Sequence, residues 1–134
     1  MTLNTALNSY HKWAIGNDIR ALLLKNEDII RQVGTNIFPL IAPESTDGDF
    51  ILYMRNKYAK SMVKMGVYSD ECEVAVVGIS DNYDDAVALA AKIDLALTGN
   101  HTLDNGVRLQ ITLADSTETF DDDKYIQTLV FNIK

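Results

Sequence analysis

Glu73-Val-Ala-Val-Val-Gly-Ile79 runs directly into Ser80-Asp-Asn-Tyr-Asp-Asp85, and then into Ala86-Val-Ala-Leu-Ala-Ala-Lys-Ile-Asp-Leu-Ala-Leu97. The first piece is short, apolar and rich in β-branched residues, which marks a buried strand. The second offers Asp81 or Asn82 as a helix cap, with Asp84 and Asp85 placed to complement the helix dipole. The third has high helix propensity. Its core face is predicted to be Val87, Leu89, Ala90, Ile93 and Leu97, with its alanines allowing close approach to a sheet. Gly99 stops it.

Upstream, Phe50-Ile-Leu-Tyr-Met54 opens a β-favouring run predicted as a strand over 50–58, the antiparallel partner of 73–79. The stretch between them, 56–71, is too long for a tight turn and predicts a protruding hairpin or a flexible loop. Earlier still, Ile15, Ile19, Leu22 and Leu23 share one helical stripe, with Asn17 and Asp18 suited to its first turn. A second helical piece covers 26–33, capped near Asn26 or Asp28 and ended by Gly34. Ile37-Phe-Pro-Leu-Ile41 reads as an edge strand or an extended segment because Pro39 lacks a backbone donor. Residues 42–49 form a loop.

Downstream, 107–113 alternates, with Val107, Leu109, Ile111 and Leu113 on one face and Arg108, Gln110 and Thr112 on the other. Asp104-Asn-Gly106 is the turn leading into it. Residues 114–124 are polar and acidic and read as a connection, and 125–133 as a last strand with Leu129, Phe131 and Ile133 on one face. The order predicts an α+β fold: a two-layer sandwich, with a mainly antiparallel sheet of four to five strands and two main helices on one face. Residues 1–13, with Leu3, Leu7, Tyr10 and Trp13, read as an N-terminal arm that Trp13 anchors on the body, or as one whose Trp13 marks a subunit contact. Residues 14–134 form a single domain with the hairpin 56–71 protruding from it.

Composition narrows the function. The chain has 134 residues, 47% hydrophobic and 23% charged, which is a globular balance for one domain. Its net charge of −7, from 19 acidic and 12 basic residues, disfavours sequence-specific binding to nucleic-acid phosphates. The single cysteine, Cys72, excludes an internal disulfide and reads as a buried core residue. The N-terminus lacks the pattern of a secretory signal, and no apolar run is long enough to span a membrane. The reading is a protein made and folded in the cytoplasm, unless carried elsewhere inside an assembly.

The candidate chemistry is sparse. Asp81, Asp84 and Asp85 cluster, as do Asp121, Asp122 and Asp123, but neither group has the alternating acidic ligands and central glycine of a calcium loop. A helix cap accounts for the first and a solvated turn for the second, so no metal or cofactor is expected. The only histidines, His11 and His101, stand in an arm and a polar turn, and no nucleophile elbow or phosphate-binding loop is present. Catalysis by carboxylates such as Asp81, Asp84 or Asp85 remains an alternative, since paired acids meet only in three dimensions.

The most unusual segment is Arg55-Asn-Lys-Tyr-Ala-Lys-Ser-Met-Val-Lys64, which gathers Arg55, Lys57, Lys60 and Lys64 inside an acidic chain, with Tyr58 among them. Arg55, Lys57, Tyr58, Lys60 and Lys64 are the candidate protein-contact residues. Such a basic loop suits a head-to-tail contact with an acidic surface on the next subunit. Basic and aromatic residues interleaved in this way also touch nucleic acid in other proteins. The plain reading is a solvated hairpin whose lysines discourage edge aggregation.

Ile19-Arg-Ala-Leu-Leu23, Val33-Gly-Thr-Asn-Ile-Phe-Pro-Leu-Ile-Ala-Pro43, Phe50-Ile-Leu-Tyr-Met-Arg55 and Glu73-Val-Ala-Val-Val77 follow one another in order. Asp81 and Tyr83 then lead into the alanine-rich helix. In that order the chain resembles, over about 14–134, the tail-completion (tail-to-head joining) proteins of long-tailed bacteriophages, which are similar to tail terminators. The lysine-rich hairpin and polar arm depart from the commoner pattern of that family. The resemblance implies a structural phage or prophage protein that caps the tail tube as a ring, typically a hexamer, and helps join it to the head connector. Its implied partners are other copies of itself, the tail tube and the connector, with DNA passing through unread and no membrane involved. Its implied location is the host cytoplasm during assembly, then the virion tail. A small adaptor or regulatory domain is the alternative of a different class.

Overall fold

A computed structural model describes residues 12–62 and 68–134. Among the described residues there are three helices and six strands. They are α1 (Ile15–Leu24), α2 (Glu27–Val33), β1 (Ile37–Pro39), β2 (Phe50–Met62), β3 (Tyr68–Ser80), α3 (Tyr83–Leu97), β4 (Gly99–Thr102), β5 (Arg108–Asp121) and β6 (Lys124–Ile133). The strands form one sheet in the order β1-β2-β3-β6-β5-β4. β1 pairs parallel to β2, and every other pairing is antiparallel.

The α+β class holds, but the two-layer sandwich with a sheet of four to five strands does not. The sheet is mixed, six-stranded and curled into half a barrel. Three physical causes account for the difference. β1 leaves helix α2 through Gly34 (φ 62) and lies alongside β2 in the same direction, which makes the sheet mixed. Residues 99–102, read as a helix stop and turn, form a fourth strand against β5. The pairing also shifts register between Arg55 and Lys57 in β2 and between Leu113 and Asp115 in β5. Each bulge adds local twist, and long strands carrying bulges coil.

Two polar segments, one read as a protruding hairpin or a flexible loop and one as a connection, carry paired strand. Residues 57–62 and 68–73 continue the β2–β3 ladder, from Lys57 opposite Glu73 out to Met62 opposite Tyr68. The 114–124 segment continues β5 to a two-residue turn, in which Asp122 (φ 50) and Asp123 (φ 59) adopt left-handed conformations between the paired Asp121 and Lys124. Such a turn matches the right-handed twist of the flanking strands.

The core lies between the helices and one face of the sheet. Ile15, Ile19 and Leu23 of α1, Ile29 and Val33 of α2, and Leu89, Ile93 and Leu97 of α3 bury against Ile51, Val74, Val76, Leu109, Ile111, Leu129, Phe131 and Ile133. Cys72 is buried there as a free thiol, and burial pushes its pKa up. Val87, expected in the core, is exposed on α3, and Ala86 takes the buried position. Gly78 lets α3 approach: a Cβ there would stand 3.1 Å from Leu89 Cγ. Asn26 caps α2 by accepting from the Ile29 N–H, and Asn82 caps α3 by accepting from the Asp85 N–H. Among the described residues, no helix is long and apolar enough to cross a membrane.

A polar pin ties the helices to one end of the sheet. Ser80, nearly fully buried, donates to Asp49 Oδ1 at 2.8 Å and accepts from the Asn82 N–H at 3.2 Å. Gln32 donates to Asp49 Oδ2 at 2.8 Å and accepts from Lys92 at 2.8 Å. The opposite face of the sheet carries Ala75, Val77 and Ile79, flanked by the half-buried Phe50, Leu52, Met54, Ile126 and Val130.

Candidate protein interface

The basic hairpin is organised by the bulge in β2. Arg55 and Tyr58 are three positions apart, so strict alternation would put them on opposite faces. The extra residue at 56 brings both to the helix side, where they meet Trp13. The Trp13 and Tyr58 rings meet edge to face, 5.4 Å between centroids at 88°. The Arg55 guanidinium lies 4.7 Å from the Trp13 ring centroid, and its Nη1 donates to the Trp13 carbonyl at 2.9 Å. Lys60 Nζ stands 5.7 Å from the Tyr58 ring on the same face. Next to Trp13, the nearly buried Lys12 donates to Asp70 Oδ1 of β3 at 2.7 Å.

Trp13 thus anchors the chain entering α1, and it still keeps 57% of its surface exposed. Beside it is a groove of about 370 Å³ lined by Trp13, Gly16, Pro39, Leu40, Tyr53 and Arg55 among others. Leu40 is held at φ 66 and is 69% exposed, so a bulky apolar side chain is displayed from a left-handed conformation it rarely adopts. Lys57 faces the other way, donating to Glu71 Oε2 at 2.7 Å. That hydrogen bond raises the Lys57 pKa and lowers that of Glu71, two directions that agree. Of the five residues singled out in the sequence, Arg55, Tyr58 and Lys60 come together, Lys57 occupies the opposite face, and Lys64 lies outside the described residues. Residues 1–11 of the arm lie outside them too.

A second cluster, at the far end of the sheet, escaped the sequence reading. Tyr83 of α3 donates to Glu118 of β5 at 3.0 Å, and Gln127 of β6 donates to the same carboxylate at 2.8 Å. The bond from Gln127 and then that from Tyr83 lower the Glu118 pKa, while the bond to Glu118 raises that of Tyr83. Tyr125 packs against Tyr83 at 5.7 Å and Phe120 at 4.8 Å. With Thr119 these residues line a recess of about 250 Å³. The missed signal was Thr117-Glu-Thr-Phe120, β-favouring residues inside a stretch read as a connection for its acidity.

The remaining candidates have structural partners. Asp81 is paired with Lys124, whose pKa that hydrogen bond raises. Asp84 and Asp85 stand in the first turn of α3. His101, expected to be solvated in a turn, is in β4 with Nε2 2.7 Å from the Leu97 carbonyl, donating to the last turn of α3. Among the described residues, no group of three His, Cys, Asp or Glu side chains is placed to hold a metal ion.

The fold is shared with a known particle component. The chain is similar to one in the solved structure of the virion of a native gene transfer agent (GTA) particle, with a TM-score of 0.72 and 21% sequence identity. The match covers 86% of this chain and 89% of that one, so it spans the domain and not a fragment. No protein-family model and no curated protein matches the chain.

Proposed function

We propose that this chain is a structural component of a phage or prophage-type particle that completes the tail and joins tail tube to head connector. In this reading it acts through contacts between copies arranged as a ring, a hexamer by the family resemblance, and through contacts with tail and connector proteins, not through catalysis. The observation that carries the proposal is the domain-wide correspondence with a chain of the gene transfer agent virion. Two features support contact as the mode of action. Trp13, Leu40 and Ile41 are displayed to solvent beside a basic strand. A second aromatic cluster sits beside acidic residues at the far end of the sheet.

The test is electron microscopy of particles from producing cells in which the reading frame is deleted. Full heads separated from tails, or tails of abnormal length, support the proposal. Normal, infectious particles remove it and favour an adaptor domain with a cellular partner.

A further inference from the structure

Among the described residues the sheet has two long uncovered edges with opposite charge. β1 pairs with β2 only as far as Tyr53, and β2 runs on to Met62. β4 pairs with β5 only as far as Ile111, and β5 runs on to Asp121. Antiparallel pairing turns alternate backbone groups toward the neighbouring strand. It therefore directs the N–H and C=O of Tyr58 and Lys60 away from β3, and those of Glu118 and Phe120 away from β6. Among the described residues no strand lies beyond either edge. The β1 edge, by contrast, is closed. Pro39 has no N–H and its carbonyl accepts from Ile41 at 2.7 Å, while the Ile37 N–H goes to Thr35 at 2.8 Å.

The uncovered part of β2 carries Arg55, Lys57 and Lys60, and that of β5 carries Asp115, Glu118 and Asp121. We infer that a second copy of this chain lays its β2 edge antiparallel against the β5 edge of the first, Tyr58 opposite Glu118 and Lys60 opposite Ser116. The inference deepens the ring reading above and rests on it. Within the sheet β2 and β5 run in opposite directions, so copies placed side by side bring the two edges together antiparallel without inversion. Tyr58, Lys60, Ser116 and Glu118 all lie on the helix side, so helices stay on one side of the joined sheet.

The stagger fits closure. Tyr58 is level with Ile133 of β6, through Cys72, whereas Glu118 is level with Gln127, six positions away across the four strands β2, β3, β6 and β5. A closed sheet needs a stagger of this kind between its first and last strands, carried by the tilt of the strands. Charge also excludes the symmetric alternatives: β2 against β2 sets cation on cation, and β5 against β5 sets acid on acid. The head-to-tail contact remains, and repeated head-to-tail contacts form a ring where the rotation between copies closes and a filament where it does not.

The experiment uses the full chain with Cys72→Ala, Lys60→Cys and Ser116→Cys, oxidised over a concentration series, with native mass spectrometry on the unmutated chain. Disulfide-linked multimers in a ladder ending at a closed species are expected, with no ladder from either single-cysteine variant. Adding Lys57→Glu to a chain with Lys60→Glu should abolish multimers, and Glu118→Lys with Asp121→Lys in that background should restore them. Multimers by mass without the disulfide ladder would overturn the edge pairing and leave the ring reading standing. A chain that stays monomeric and unlinked at every concentration would overturn both, because both edges are already formed in the single subunit.

Discussion

Arg55 holds Trp13 in two ways at once, its guanidinium 4.7 Å from the ring centroid and its Nη1 bonded to the Trp13 carbonyl at 2.9 Å. The bulge between Arg55 and Lys57 makes this possible by setting Arg55 and Tyr58 on one face. The first prediction follows from that geometry. A double-mutant cycle of Trp13→Ala and Arg55→Ala should give a coupling of about 0.5–1 kcal/mol, as for an exposed cation–π pair. Urea unfolding of the four proteins measures it, and additive effects would show that the contact adds no stability.

The Ser80 hydroxyl is the buried member of the polar pin between Asp49 and the Asn82 N–H. Ser80→Ala removes a donor and an acceptor together and leaves a carboxylate and an amide without that partner. A loss of about 1–3 kcal/mol is expected in chemical denaturation. Amide exchange should accelerate first at Asn82 and along the opening turn of α3.

Gly78 faces Leu89 across the interface between sheet and helix, where an added Cβ would come within 3.1 Å of both Leu89 Cγ and Cδ2. Leu89 is fully buried, so giving way would press it on its own core neighbours. Gly78→Ala should therefore cost about 1–3 kcal/mol by overpacking. Thermal melts measure the loss, and Gly78→Ala combined with Leu89→Val should recover part of it.

Glu118 accepts from Gln127 and Tyr83, and its pKa is lowered in the folded chain. A depressed folded pKa contributes stability that is present above the unfolded value and lost as pH falls through the folded one. Glu118→Gln should accordingly destabilise at neutral pH and converge with the parent chain in acid. Denaturation at a series of pH values measures it, and a constant difference across the acid range would contradict it. Carboxyl NMR should place the Glu118 titration below the usual glutamate range.

The sequence by itself determined what depends on neighbours a few residues away. The stripe of Ile15, Ile19 and Leu23 marks α1, and Asn26, Gly34 and Asn82 mark helix ends. The alternations of Leu109 and Ile111 and of Leu129, Phe131 and Ile133 mark the buried faces of β5 and β6. Cys72 in the core was legible in the same way. The basic run was legible as composition, and its division between two faces was not.

Tertiary structure decided the rest. Residues 57–62 and 115–121 are polar and carry no apolar alternation, yet they are strand because backbone groups of β3 and β6 lie opposite them. The parallel placement of β1, the insertion of β6 between β3 and β5 and the two bulges have the same origin. So do the meetings of Trp13 with Arg55, 42 residues away, and of Tyr83 with Glu118, 35 residues away. Side-chain periodicity records which face of a segment is buried. A strand held by backbone hydrogen bonds along an exposed edge buries neither face, so its sequence carries no such record and its place is set only when the chain closes around it.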